Sequence, residues 1–414
     1  MPAADPGEQG QVPLLTIARE WGRIGCIGFG GPPAHIALLR ALCVDRRGWI
    51  SAEEFEDGVA TCNMLPGPAS TQLAIFCAWR LRRTLGALIG GACFIVPGLI
   101  VILGLSAVFL ARHPPLWIKG AAAGAGAAVP VVALSAAIGL APASWRRVGT
   151  ARPARARWAC YLVIGGAAGG LLGPFLVLIL VGCGLLEMLV RMRPVWSARL
   201  RRPPGRPAAE DPQRPAALAV LAKLGAPLGR AAPGVVTGGL LSVAWVAFKV
   251  GALSYGGGFV IVPLMQHDAV TTYHWMTSAQ FLSAVALGQV TPGPVVQTVA
   301  VVGYAAAGIG GGLLASFVAF TPSFAFVLIG GPRFDQLRRN AGIQAFLTGA
   351  GPAAIGAIAG ASIPLGLGLS HLWQVALVAL AAVWLVALRR GVVTAIVGAG
   401  VLGIIAVLAG APVS

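Results

Sequence analysis

Long apolar runs separated by short polar gaps fill this chain. The runs are too continuous for the alternation of a half-buried strand or the one-sided stripe of a soluble helix. Several, among them Leu85 to Ala111 and Val392 to Leu408, are of the order of the roughly 18 to 20 residues a helix needs to cross a bilayer. The runs parse into two similar series. A first helix (about 12–30, and about 236–254) leads into a glycine motif, and a short helix with a Pro-Gly-Pro segment follows (about 34–80, and about 259–305). Four further runs complete each series, near 84–111, 120–141, 158–172 and 174–190, then near 312–330, 343–364, 372–388 and 391–410. The expected fold is all-α: a polytopic membrane protein with about ten full crossings and two re-entrant, broken-helix hairpins. Its first repeat is residues 1–190, a basic linker spans 191–234, and the second repeat is 235–414.

The two series share a residue pattern at a constant offset of 226 positions. Trp49, Ser51, Phe55, Pro66, Gly67 and Pro68 reappear as Trp275, Thr277, Phe281, Pro292, Gly293 and Pro294. Gly30 and Gly31 return as Gly256 and Gly257, and Arg23 returns as Lys249.

Composition supports a bilayer environment. The chain has 414 residues, of which 57% are hydrophobic and 10% charged, more apolar surface than a soluble fold of this length hides. The opening, with Asp5 and Glu8, does not read as a signal peptide. The net charge of +17 does not point to nucleic acid, because the arginines sit in short loops and in the linker from Arg191 to Arg214, without interleaved aromatics. They read as topology-setting charge. Arg40, Arg46 and Arg47 have a counterpart loop, 266–276, without Lys or Arg, and Arg80, Arg82 and Arg83 face the uncharged Ala305 to Gly312, whereas Arg389 and Arg390 oppose the bare Leu172-Gly173-Pro174. Opposite charge on equivalent loops implies that the repeats are inverted, with the linker in the cytoplasm.

The seven cysteines all lie in the first repeat without metal-ligand or CxxC spacing, so neither a disulfide framework nor a metal site is read from them. No hydrolase elbow, P-loop or Ser/His/Asp pattern is present, the five histidines show no ligand spacing, and no cofactor is expected. The chain is read as a transporter, not an enzyme.

Three features carry candidate chemistry. Phe29-Gly30-Gly31-Pro32-Pro33 and its counterpart Tyr255-Gly256-Gly257-Gly258 end a helix and turn the backbone, with Pro33 suited to the first position of a new helix. Unwound backbone at membrane depth needs protein or a polar cavity around it. The second feature starts with capping boxes, Ser51 to Glu54 and Thr277 to Gln280. The prolines of Pro66-Gly67-Pro68 and Pro292-Gly293-Pro294 then stop that helix, and a new one restarts with free N–H groups. Asn63 and Gln289 precede the breaks, and Ser70, Thr71 and Gln72, or Gln297 and Thr298, follow them. Helix-start N–H groups beside neutral polar side chains suit an anion; a proline kink that merely shapes a helix is the alternative.

The third feature is Arg23 with Lys249, each inside the first helix of its repeat. A basic residue deep in a membrane costs on the order of 2.5–3.5 kcal/mol, so it needs a partner or a wet cavity unless it snorkels outward. No acid near Lys249 in the second repeat presents itself, Val246 standing where Glu20 does, and two unpaired cations would suit a divalent anion. Glu53, Glu54 and Asp57 are candidates for proton coupling, and helix-start electrostatics explains them equally well.

Phe29-Gly30-Gly31-Pro32, the Trp-x-[Ser/Thr]-x-x-[Glu/Gln]-Phe runs at 49–55 and 275–281, and the paired Pro-Gly-Pro triplets together resemble the chromate ion transporter family in its long two-domain form. The resemblance covers essentially the whole chain. It implies a multi-pass protein of the bacterial inner membrane that exports chromate and confers chromate resistance, driven by the membrane potential or a proton gradient. Gly258 stands where Pro32 does, which leaves room for functionally unequal halves. The expected partners are chromate, or sulfate as its structural analogue, and the lipid bilayer. A homodimer is left open. A sulfate or other oxyanion transporter is the alternative, with a membrane-embedded chromate reductase or a non-transporting sensor more remote.

Overall fold

The structure is a computed structural model that describes residues 12–63, 65, 67–111, 113–171, 175–200, 239–254, 261–331 and 340–413. Gly256, Gly257, Pro66 and most of the 191–234 linker lie outside the described residues. The described chain is all-helical. In the first repeat the helices are α1 (Leu14–Ile27), α2 (Pro32–Arg40), α3 (Ala52–Cys62), α4 (Ala69–Phe109), α5 (Leu116–Val148), α6 (Arg152–Leu171) and α7 (Leu176–Leu200). In the second they are α8 (Leu240–Leu253), α9 (Ile261–Gln266), α10 (Ser278–Val290), α11 (Thr298–Gly330), α12 (Ala341–Leu367), α13 (Leu372–Ala382) and α14 (Val392–Leu408). Among the described residues four stretches are long and apolar enough to cross a membrane: Ala69–Phe109, Leu116–Val148, Val295–Gly330 and Ala341–Leu367.

The duplication extends to backbone detail that side chains do not dictate. A π-helical turn follows α2 at Ala41–Arg46 and α9 at His267–Thr272. The chain leaves both turns through matching bonds, Trp49 N–H to Cys43 O and Trp275 N–H to Ala269 O, each 2.8 Å. The next helices start alike but are not capped alike. Thr277 and Gln280 form a full capping box. Ser51 accepts from the Glu54 N–H at 3.2 Å, but the Glu54 carboxylate pairs with Arg80 rather than reaching back, so only one arm of the expected box exists. At α2, Pro32 rather than Pro33 takes the first position, after Gly31 at φ 73°.

Helix α3 and the first arm of α4 form an antiparallel hairpin with Gly67 and Pro68 at its tip. Glu54 meets Arg80 at the base, Gly58 lies against the Phe76 ring midway, and Gln72 lies over Gly67 at the tip. Gly288 beside Thr298 repeats the arrangement in the second repeat. With 11 residues in α3 and 13 in α10, these arms reach only about 16 and 20 Å, short of a hydrocarbon core of about 30 Å. They have the length of re-entrant hairpins.

Each hairpin then reverses again. The backbone of α4 breaks at Arg82 (φ −142°, ψ 32°) and Arg83 (φ 47°, ψ −136°), and α11 breaks at Ala307 (φ −150°, ψ 30°) and Gly308 (φ 63°, ψ −154°). Glycine adopts this left-handed geometry freely; Arg83 holds it with its guanidinium 4.9 Å from the centre of the Trp79 ring. The long arms pack back on the short ones through small residues, Gly86 and Gly90 on Ala78, and Gly303 on Gly311. These reversals, and the interior prolines Pro97 and Pro322, match one position short of the offset that relates the triplets. The slip falls where a 3₁₀ turn, Val295–Gln297, replaces the first turn of an α-helix. Fewer residues per turn draw the chain tighter there.

The repeats interlock instead of standing apart. Helix α14 packs along α5 of the other repeat, and α6 and α7 pack along α12. The contacts are stripes of small residues: Gly120 and Gly124 on Gly403 and Ala399, Gly165 and Gly169 on Ala353 and Ala357. Such stripes let backbones approach where lipid offers no hydrophobic drive for helix association. One continuous apolar core runs through both repeats, from Ile17 and Trp21 to Ile396 and Ala399.

Candidate functional site

The two Pro-Gly-Pro tips meet, and they are joined by an exchange of backbone bonds. Gly67 N–H donates to Ser254 O, at the end of α8, at 2.6 Å. Gly293 N–H donates to Gly28 O, at the end of α1, at 3.0 Å. The four residues are equivalent in pairs, so each tip binds the end of the first helix of the other repeat. Both acceptors are free because those helices stop there, and both tip glycines need left-handed φ values, 121° and 95°. A mutual exchange of this kind is what a two-fold relation between repeats requires.

Further contacts cross the same interface. Gly31 sits against Val295, a Cβ at Gly31 being 3.6 Å from the Val295 Cγ2. Gln297 donates from Nε2 to Ile95 O at 2.6 Å, on the long arm of α4. Gly98, one turn further, has no room for a side chain: a Cβ there would run into Pro292 O and come 2.6 Å from Gln297 Oε1. The residue matching Gly98 is Ser323, and a Cβ at Gly67 would lie 3.2 Å from its hydroxyl. Each long arm therefore presents one small residue to the opposite tip.

Several residues in and beside these tips carry buried polar atoms without a hydrogen-bond partner. Among the described residues they include Thr71 Oγ1, Ser254 Oγ, Gln289 Nε2, Gln297 Oε1 and Ser323 Oγ. Leaving such a group unsatisfied costs about 1–3 kcal/mol each. Four of the five atoms can donate to an anion. Helix α4 starts here, with Thr71 and Gln72 N–H bonded back to Pro68 O, which leaves the first N–H groups of the helix without partners inside it.

Gln297, named from sequence, thus stands at the junction with Pro68, Gly67, Gly293 and Pro294, while Thr71 lies in the first turn after Pro68 and Gln289 in the last turn of α10. Ser70 is there too, its hydroxyl 3.2 Å from His35 Nδ1. Gln72 and Gln297 take corresponding positions once the slip is counted, in place of the Thr71 and Gln297 pairing that the constant offset gave. Thr298 turns its hydroxyl to Val295 O at 2.8 Å, and Asn63 turns its amide back to Val59 O at 2.9 Å. Gly30 (φ 99°) and Gly31 make the turn between α1 and α2.

The cations are not where a shared pocket needs them. Lys249 is not unpaired: its Nζ lies 2.6 Å from Asp268 Oδ2, with the two side chains 18% and 9% exposed. The acid comes from the π turn after α9, within the second repeat, where no acid was expected near Lys249. Arg23 lies exposed on the outer face of α1, whose buried face carries Ile17, Trp21, Ile24 and Gly25. The expected pair of free positive charges is therefore corrected; exposure fits the snorkelling alternative for Arg23. The candidate acids stand at the start of α3, where helix-start electrostatics accounts for them equally well. Glu54 pairs with Arg80 at the hairpin base, Glu53 is exposed at the same end, and Asp57 is one turn further along α3, all away from the tip.

Sequence reading passed over Ser254, Ser323 and His35. The serines are ordinary helix residues until the cross-repeat contacts are known. His35 is fully buried, bonded from Nε2 to Gly28 O at 2.9 Å, with its ring edge-on to Phe94 at 5.1 Å. A separate groove between α5, α10 and α14, lined by Ala121, Leu287, Val290 and Ile396, is almost wholly apolar and unlike an anion site.

The sequence is similar to known proteins over most of its length. The family model described as "Chromate transporter" matches residues 15–188 and again 241–404. A chromate transport protein of Cupriavidus metallidurans is 33% identical over 345 residues, 83% of this chain and 80% of the relative. A probable chromate transport protein of Synechococcus elongatus is 30% identical over 357 residues, covering 85% and 84%. An uncharacterized transporter of Methanocaldococcus jannaschii is 27% identical over 330 residues, covering 79% and 78%. No solved structure matches significantly.

Proposed function

The chain belongs to the chromate transporter family, and on that premise we propose that it carries chromate through the junction of its two Pro-Gly-Pro tips. Chromate is a tetrahedral dianion. The observation that carries this reading is the cluster of buried, unpartnered donors at two broken helices that grip one another across the repeats. Hydroxyls, amides and helix-start N–H groups can replace the hydration of such an anion. Arginine asymmetry between equivalent loops supports an inverted relation of the repeats, so the hairpins would enter from opposite faces and meet near the midplane. Closely packed tips represent a closed state in this reading, and rocking one repeat against the other opens the junction to either side in turn. Export from the cytoplasm, across a bacterial inner membrane and with the linker inside, is the direction that makes such transport protective. Sulfate shares the shape and charge that these neutral donors recognise and is the second reading.

The test is radiolabelled chromate and sulfate flux in proteoliposomes. Thr71→Val removes an unpartnered hydroxyl and keeps the volume, so the folded protein gains up to about 1 kcal/mol while chromate affinity falls roughly tenfold. Thr71→Val that transports as wild type counts against the junction. Sulfate flux without chromate flux moves the substrate to the second reading.

A further inference from the structure

His35 occupies a position at the junction that its counterpart in the second repeat cannot reproduce. Ile261 stands at the equivalent place, and a valine, Val295 or Val296 according to the slip, stands for Ser70. The imidazole bonds to the first tip and is linked to the second through one shared carbonyl. One nitrogen faces Ser70, in the first turn after Pro68, and the other faces Gly28 O, the carbonyl that also receives the Gly293 N–H.

The carbonyl can only accept, so Nε2 carries a proton. In the neutral ring Nδ1 is then bare, and the Ser70 hydroxyl must donate to it. That orientation turns the Ser70 proton away from any ligand. Protonation of Nδ1 reverses the bond: Nδ1–H donates to Ser70 Oγ, and the hydroxyl proton is released to point elsewhere. The bond to Gly28 O is kept and becomes charge-assisted. One proton thus adds a positive charge and a free donor beside the helix start in a single step, with no bond lost.

Among the described residues no ion pair reaches the ring. On α1, Arg23 and Cys26 are exposed and Glu20 pairs with Arg47 at 3.0 Å. On α4, Cys93 is half-buried, and Arg80 lies at the hairpin base. On the π turn Cys43 is buried and Asp45 exposed. Neither nitrogen of the ring contacts any of them.

We propose that His35 is the proton-binding residue of the transport junction, charged when an oxyanion occupies the tips and neutral when they are empty. The proposal rests on the reading of the junction as the anion site. Proton and anion then favour each other's binding by the same factor. With isoleucine in the second repeat, the coupling is one proton per anion, not two.

Chromate binding to the purified full-length protein, above the pH at which free chromate itself protonates, tests this with a pH-indicator dye and equilibrium binding. Wild type takes up about one proton per chromate bound, and its apparent Kd rises up to tenfold per pH unit. His35→Gln keeps a donor for Gly28 O and an acceptor for Ser70 but cannot charge. It loses the proton uptake and the pH dependence, and binds chromate at least tenfold more weakly. Chromate binding to wild type without proton uptake overturns the proposal, a measurement that needs no variant to fold. So does His35→Gln with an unchanged pH profile. If Thr71→Val and Gln297→Ala both bind chromate normally, the junction itself is wrong and His35 falls with it; if they lose binding while His35→Gln behaves as wild type, only the coupling fails.

Discussion

The two hairpin tips share a backbone and differ in chemistry. The first is polar, with Ser70, Thr71 and Gln72 starting its helix and His35 behind it; the second offers Val295, Val296 and Gln297 in a tighter turn. Yet each glycine tip makes the same bond to the other repeat. The lesson is a division of labour: duplicated backbone fixes where the breaks meet, while unequal side chains decide what is held there. The flanking ion pairs follow suit. Glu20–Arg47 ties α1 to the residue that closes the π turn of the first repeat, and Lys249–Asp268 ties α8 to the π turn of the second, with the charges exchanged between the two sides.

Substitutions that separate backbone fit from charge sharpen the comparison. The largest effect is expected from Gly98→Val, which drives a side chain into Pro292 O and Gln297; transport is lost and the thermal midpoint falls by several degrees, whereas Ser323→Ala at the matching position leaves the midpoint unchanged or raised. Lys249→Ala comes next. It strands Asp268 in a nearly buried place, a loss of about 3–5 kcal/mol, and replacing both partners by Met and Leu recovers most of the stability. Arg23→Ala is the smallest: on an exposed face it leaves flux within about twofold of wild type and stability within about 0.5 kcal/mol. Equal damage from Arg23→Ala and Lys249→Ala would restore the idea of a shared cation pair.

Much of this architecture was legible in the order of residues. Helix positions, the broken hairpins and their repetition follow from apolar runs and prolines, because those are local matters of burial and missing N–H groups. The tips' polar followers were legible too, since polar residues inside an apolar segment need a reason. Pairing across space was not. Asp268 lies in a turn 19 positions beyond Lys249, and Ser323 meets Gly67 only because the long arms cross. Nor could a constant offset reveal that a 3₁₀ turn would slide Gln297 into the place of Gln72. His35 was hidden because a histidine is conspicuous by its neighbours, and both of its hydrogen-bonding neighbours come from breaks in other helices.

Locating chromium by anomalous scattering in crystals of the chromate-bound protein tests the proposed junction most directly. The expected peak lies between Gly67–Gln72 and Gly293–Gln297, within hydrogen-bond reach of Thr71 or Gln297. A peak at Arg23, or in the apolar groove between α5 and α14, with the tips still closed on one another, would contradict it.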